Sequence, residues 1–324
     1  MLAALVTLLF PLVLGVLARR GRWLETSTVT SAQAMAALNR FALAIAFPAL
    51  VVASFLDPSR QLALRWPVVV LAGAPLLVGV AVSLALGGRV VSGETLPSRG
   101  TLALVALFGN SAYLGLPLVA AWLGEDHLAL ASTIVSVHVA LTVTLGTALL
   151  EREGGGTDPK RLARRLITSP LAMSPIVGAL LAWGLDALAL DTHPLVHASF
   201  RALDVLGKTA SPLGIFVLGL FLGARAPSLE RPRGQLAFVL VRLLVVPAAT
   251  LVLALVLRSV SAVTRDELRA LVLLASVPAA ISTFAMVEEV GGDSAPVARA
   301  IVTTSLASIV TVPAWLALAD ALAA

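Results

Sequence analysis

The sequence contains no cysteine and few charged residues. Without cysteine the chain forms no disulfide, offers no thiolate to a metal and has no cysteine nucleophile. Only 13% of the residues are charged, whereas 59% are hydrophobic and the mean hydropathy is +0.98. A soluble domain carries about a quarter charged residues to cover its surface, so this composition excludes one. It predicts a protein that crosses a membrane several times, and the lengths and spacing of its apolar runs make that protein all-α.

Motifs for nucleotide binding and catalysis are also missing. No Gly-x4-Gly-Lys-Ser/Thr loop occurs, and no hydrophilic segment is long enough to house an ATPase. Gly109-Asn-Ser-Ala-Tyr113 is not a serine-hydrolase elbow, and the four histidines are too scattered to predict a metal site. We therefore predict no enzyme, no catalytic residue, no metal and no cofactor, with Na⁺ or H⁺ left open as a coupling ion.

Apolar runs of roughly 17 to 25 residues, the length of a membrane-spanning helix, occur ten times. Their spacing favours helices over a β-barrel. The first run has no basic residues before it, which favours a retained span over a signal peptide. The ten predicted spans are residues 2–18, 33–55, 67–87, 101–122, 128–150, 169–187, 199–223, 236–257, 268–288 and 295–319.

The basic residues alternate from loop to loop. Thirteen Lys and Arg lie in one alternating set of loops and six in the other. By the positive-inside rule the richer set of loops is cytoplasmic. This places both termini on the outer side of the membrane, which is expected to be a cell membrane, the inner membrane of the cell. The net charge of +5 thus reports topology, and no nucleic-acid partner is expected.

A long hydrophilic connection, residues 151–168, divides the chain into halves of five spans. An odd number of spans per half predicts inverted repeats, residues 1–150 and 169–324, as in many secondary transporters. When residues 103–150 are aligned with 270–317, about 14 of 48 positions are identical, against roughly five expected by chance. This pairs the fourth span with the ninth and the fifth with the tenth.

Both members of the first pair are interrupted by polar residues, glycine or proline. An interrupted helix in hydrocarbon must be surrounded by protein or by a watery cavity. If the two breaks cross, unpaired amides at the starts of the half-helices suit a carboxylate or another small anion. Kinking of packed helices is the simpler alternative. The candidate substrate-binding residues are Asn110, Ser111, Tyr113, Pro117, Pro278, Ser282 and Thr283.

Asn110-Ser-Ala-Tyr-Leu-Gly-Leu-Pro117, Pro278-Ala-Ala280 and Thr311-Val-Pro313 resemble motifs of the auxin efflux carrier family. The resemblance runs over nearly the whole chain. It implies the fold of bile acid sodium symporters, with crossing broken helices 4 and 9. It further implies a scaffold domain from spans 1, 2, 6 and 7, a core domain from spans 3–5 and 8–10, and transport of organic anions.

By position, Asn110 and Pro117 match the family's fourth-span asparagine and crossover, and Pro278 matches its ninth-span proline. Many relatives have an asparagine after that proline, where this chain has Ile281-Ser-Thr283. The shorter hydroxyl predicts a roomier site or a different anion.

Ionisable residues within spans are costly and therefore suggest function. Lys208 is predicted either to neutralise the substrate or to pair with Asp204 four residues earlier. His138 is predicted either to take up a coupling proton or, as the more ordinary alternative, to be a buried neutral ring bonded to a carbonyl. Arg40 and Arg242 lie near span ends, where they are expected to extend to the headgroups.

The sequence thus predicts a secondary transporter or facilitator that moves a small organic anion by alternating access. A sodium-coupled symporter of the bile acid type is one alternative, with oxygens from Asn110, Ser111, Ser282, Thr283 and Glu288. A non-transporting anion sensor is another. The expected partners are the anion, membrane lipids and, as an option left open, a second copy of the chain in a homodimer.

Overall fold

The computed structural model describes residues 2–56, 65–153, 160, 163–164, 167–190, 193–224, 232–260 and 262–323, and nearly all of its regular structure is helical. A short hairpin pairs Val90–Val91 with Glu94–Thr95. The α-helices are Leu2–Arg20, Ser31–Phe41, Phe47–Leu56, Trp66–Leu86, Arg99–Leu107, Leu116–Trp122, Leu128–Leu141, Thr147–Glu153, Pro170–Ala187, Pro194–Lys208, Ala210–Gly223, Pro232–Val239, Val246–Ser259, Arg265–Ser276, Ser282–Glu289 and Ala295–Leu322.

Six helical segments among the described residues are long and apolar enough to cross a membrane, which supports the predicted all-α membrane class. Shorter apolar helices, Ser111–Trp122 and Ile176–Ala187, lie in the predicted fourth and sixth spans. Ten spans arranged as inverted repeats, with the orientation given above, stay a prediction. The six segments are Ser31–Ala53, Trp66–Leu86, Glu125–Arg152, Pro194–Gly223, Arg233–Ser259 and Ala295–Leu322.

Proline explains three of the four π-helical turns found among the described residues. Proline has no N–H and its ring pushes against the carbonyl four residues earlier, so the preceding turn widens. The turns Ala42–Ala46, Ser111–Gly115 and Leu240–Val245 each end two residues before a proline. The fourth, Thr142–Gly146, has no such proline.

The chain divides into two compact units. The first unit comprises Met1–Ala63, Ala112–Ser136 and Ile167–Ala226. Within it, Leu2–Arg20 packs along Ala210–Gly223. A Cβ on Gly15 would stand 2.2 Å from the carbonyl oxygen of Phe216, so glycine is what lets these two backbones touch.

The second unit comprises Leu64–Ser111, Val137–Leu166 and Pro227–Ala324. Its core includes the buried side chains of Leu76, Leu107 and Val246. Near one end, Arg65 Nη1 donates to both carboxylate oxygens of Glu267, at 2.8 and 2.7 Å. Glu267 also closes a capping box with Thr264 at the start of Arg265–Ser276. One carboxylate therefore caps this helix and binds Arg65.

Candidate functional site

Two helices of the second unit end at the same place, and the segments that follow them are hydrogen-bonded to each other. Arg99–Leu107 and Arg265–Ser276 both end at this point, and Gly109 pairs with Ala279 in a single antiparallel bridge. Asn110 N donates to Pro278 O at 2.7 Å and Ala280 N donates to Phe108 O at 3.0 Å. We call residues 107–111 and 276–281 the crossing.

At the crossing, hydrogen bonds between residues 107–111 and residues 276–281 take the place of hydrogen bonds within each helix. In an unbroken helix the amide of Asn110 would donate to Ala106 O, but it donates to Pro278 O instead. Pro278 has no N–H to continue its own helix. Carbonyl oxygens at both helix ends are thereby released, and in an apolar surrounding they need other donors.

Arg242 supplies those donors. Its Nε donates to Val277 O and its Nη1 to Ala106 O, both at 2.9 Å. The side chain is 0% exposed, so the prediction that Arg242 extends to the headgroups is wrong. The released carbonyls of two helix ends hold the guanidinium inside instead.

Asn110 is the polar side chain of the crossing with an unused donor. It is 3% exposed, and its Nδ2 has no hydrogen-bond partner among the described residues. Ser111, fully buried, places its Oγ 3.4 Å from Gly109 O, a long contact. A buried amide with free donors is costly unless something binds it.

At the start of Ser282–Glu289, which follows the crossing, hydroxyls mostly bond to nearby backbone. Thr283 Oγ1 donates to Ala280 O at 2.6 Å and is fully buried, whereas Ser282 is half-buried. Thr304, from the last helix, accepts from Ala279 N at 3.1 Å and donates to Ala300 O at 2.7 Å. Thr304 therefore links Ala279 of the crossing to the helix Ala295–Leu322 by a hydrogen bond.

Tyr113 and Pro117 fall in the first unit. The Tyr113 hydroxyl donates to the side chain of Asn39, and its ring stacks on Phe47 with centroids 5.1 Å apart. Pro117 is buried in the first turn of Leu116–Trp122, where its missing N–H is tolerated. The structure thus brings Asn110, Ser111 and Pro278 together and gives the Tyr113 hydroxyl a partner that sequence reasoning did not assign to it.

The ionisable candidates have partners within their own units. Lys208 Nζ lies 2.6 Å from Asp204 Oδ2, and the Lys208 side chain is 60% exposed. His138 is buried at 2% exposure and hydrogen-bonded to the backbone of Ala72. Both contacts correspond to the simpler alternatives weighed for these residues, while their roles in transport stay predictions.

Within the residues that the structure describes, no three His, Asp or Glu side chains come close enough to hold a metal ion. Glu288, a candidate sodium ligand, is exposed and accepts from Ser294 Oγ at 3.1 Å. Glu288 is thus bonded at the end of its own helix.

A cavity of about 410 Å³ opens elsewhere in the second unit. Thr95 and Ser98 line it beside the hairpin, with Gln235, Asp293 and Arg299 from later segments. Glu94 fastens the hairpin there, accepting from the amides of Arg233 and Gly234 at 3.2 and 2.7 Å. The cavity therefore lies between the hairpin, the start of Pro232–Val239 and the turn before Ala295–Leu322.

Comparison with known proteins decides the family. The family model described as "Membrane transport protein" matches residues 2–316. The chain belongs to this family. This confirms the resemblance to auxin efflux carriers found in the motifs around Asn110 and Pro278.

Two relatives of this chain align with it over most of their own length. The chain is 26% identical over 287 residues to a protein of Rhizobium meliloti named "Putative malonate transporter", covering 86% of this chain and 85% of that one. It is also 26% identical over 216 residues to an uncharacterized transporter of Methanocaldococcus jannaschii, covering 67% of each. Family and relatives indicate a membrane transporter of a small molecule, and not an enzyme.

Proposed function

We propose that this chain is a secondary transporter or facilitator that moves a small organic anion, a mono- or dicarboxylate, across a cell membrane by alternating access. The observation that carries the proposal is the unpartnered, buried Nδ2 of Asn110 at the crossing. A carboxylate accepts hydrogen bonds readily, and an asparagine amide offers two donors. The name of the Rhizobium relative makes malonate the first probe.

The backbone of the crossing supports the same ligand class. Ser282–Glu289 begins just after the crossing and packs against Arg99–Leu107. The amides of Thr283 and Phe284 already donate to Ala280 O and Ile281 O, at 3.2 and 3.1 Å. The support therefore comes from the partial positive charge at this helix start, which suits an anion. In this proposal Asn110, Ser111 and the segment around Ser282 and Thr283 contact the carboxylate, and Pro278 keeps the helix open.

The transport cycle is proposed on the same basis. Helices from spans 3–5 and 8–10 form the moving core, spans 1, 2, 6 and 7 form the scaffold, and both termini lie outside the cell. Movement of the core carries the anion from one side to the other. An anion sensor would bind malonate without exchanging it, so counterflow in proteoliposomes separates the two functions.

The sharpest test changes the charge of Asn110 and keeps its shape. Asn110→Asp adds a negative charge where the anion is held, whereas Asn110→Ala only removes the donors. Losing a hydrogen bond to a charged ligand costs about 1.5–3 kcal/mol, or about tenfold to a hundredfold in Kd. We expect that loss for Asn110→Ala and a larger one for Asn110→Asp, in malonate binding and in counterflow.

Ser83→Ala is the matched control. Ser83 is fully buried in the same unit and its Oγ donates to Gly79 O at 2.7 Å, within its own helix. Its replacement should leave malonate binding unchanged. Wild-type malonate affinity in a folded Asn110→Asp protein would rule out the proposed site.

A further inference from the structure

The guanidinium of Arg242 is a buried positive charge without a carboxylate. It is 0% exposed, and the described residues place no Asp or Glu in an ion pair with it. A buried charge is very costly unless it is compensated. The compensation must therefore come from groups other than side-chain acids.

The C-terminal ends of two helices provide the negative charge that compensates Arg242. Ala106 is the penultimate residue of Arg99–Leu107, and Val277 caps the end of Arg265–Ser276. Each helix end carries roughly half a negative charge on its free carbonyls. Two such ends together balance about one guanidinium, and both carbonyls accept hydrogen bonds from Arg242.

The crossing is shaped around this side chain. A Cβ on Gly109 would stand 1.8 Å from Arg242 Nη2 and 2.4 Å from its Cζ. Any residue with a Cβ at position 109 would collide with the guanidinium. Nη2 itself is buried and has no hydrogen-bond partner within the described residues, so part of the donor capacity of the guanidinium is unused.

Carbonyl oxygens at two converging helix ends would otherwise attract a small cation such as sodium. We propose that Arg242 is a resident cation that takes the place of a coupled ion at the crossing. Anion binding by this chain therefore needs no sodium there. This inference rests on the proposed function and decides between its two mechanisms, because it opposes the sodium symporter.

The test has one arm that requires no substrate. The full-length protein is purified in detergent, and its melting temperature is compared in sodium chloride and in N-methylglucamine chloride of equal concentration. Wild type should melt at the same temperature in both salts. Arg242→Gln should melt lower and be raised by sodium, since an ion that binds only the folded state stabilises it. Arg242→Lys keeps the charge and should not respond to sodium.

Arg258→Gln is the control for losing an arginine bonded to a helix end. Arg258 Nη2 donates to Ala323 O at 2.7 Å but is partly exposed. Its replacement should create no sodium response. If Arg242→Gln does not fold, wild type and Arg242→Lys decide the outcome, because a sodium-dependent melting temperature in either one overturns the proposal.

The second arm measures malonate counterflow in proteoliposomes in the same two salts. Equal wild-type counterflow supports the proposal, and counterflow that requires sodium overturns it while leaving the proposed function in place. If wild type binds neither malonate nor any other carboxylate tried, in either salt, the proposed function fails. The melting arm then still decides whether Arg242 replaces a cation.

Discussion

The crossing in the second unit and the surroundings of Tyr113 in the first unit bury polar groups in opposite ways. At the crossing, Asn110 Nδ2 and Arg242 Nη2 are buried with no hydrogen-bond partner among the described residues. Tyr113, by contrast, donates to Asn39 and stacks on Phe47. Satisfied polar groups rigidify a fold, whereas unsatisfied ones need an explanation. The difference directs the search for a ligand to the crossing.

The largest expected effect comes from filling the crossing with one methyl group. Gly109→Ala forces the guanidinium of Arg242 aside, and overpacking of a buried site costs about 1–3 kcal/mol. Each hydrogen bond from Arg242 to a carbonyl that breaks adds about 1.5–3 kcal/mol. We expect a fall of several degrees in melting temperature, or no folded protein in membranes.

Gly184→Ala is the comparison for Gly109→Ala. A Cβ on Gly184 would meet nothing within 4 Å, and alanine suits the interior of Pro170–Ala187 better than glycine does. This variant should melt at or slightly above the wild-type temperature. If Gly109→Ala behaves in the same way, Arg242 does not fill the crossing as described.

A smaller loss of stability is expected at Tyr113, whose hydroxyl already has a hydrogen-bond partner. Tyr113→Phe removes the hydroxyl that bonds to Asn39 but keeps the ring on Phe47, which should cost about 1 kcal/mol of stability. Malonate affinity should stay within about twofold of wild type, since the hydroxyl is already occupied. Isothermal titration and thermal melting of the same preparation separate the two quantities.

The Tyr113 variant also tests a prediction made from the sequence, which assigned Tyr113 to the substrate site. A tenfold loss of malonate affinity, about 1.4 kcal/mol, with no change in melting temperature would support that assignment. It would also remove the contrast between the crossing and the surroundings of Tyr113.

The breaks themselves could be predicted from sequence because their causes are local. Proline removes a helical donor at position 278, and glycine at position 109 marks a close approach. The repeat then paired the two spans. It did not give the contacts, since the alignment sets Gly109 opposite Ser276 whereas the structure bridges Gly109 to Ala279.

The position of Arg242 could not be predicted in this way. One of its acceptors, Ala106 O, lies 136 residues away, and both acceptors become free only because two distant helices end beside each other. From sequence, Arg242 is an arginine near a span end, where extension to the headgroups costs least. The available signal was its place within an apolar segment, a position that suggests function by default.

The smallest effect is expected for Lys208, whose Nζ lies 2.6 Å from Asp204 Oδ2 on an exposed helical surface. An exposed pair four residues apart contributes about 0.3–0.5 kcal/mol. Lys208→Met and Asp204→Asn should therefore each lower the melting temperature only slightly. If Lys208 instead neutralises the substrate, Lys208→Met alone would weaken malonate binding while Asp204→Asn would not. Titration of malonate into the two variants distinguishes these outcomes, because the ion pair is symmetric between its members and contact with an anion is not.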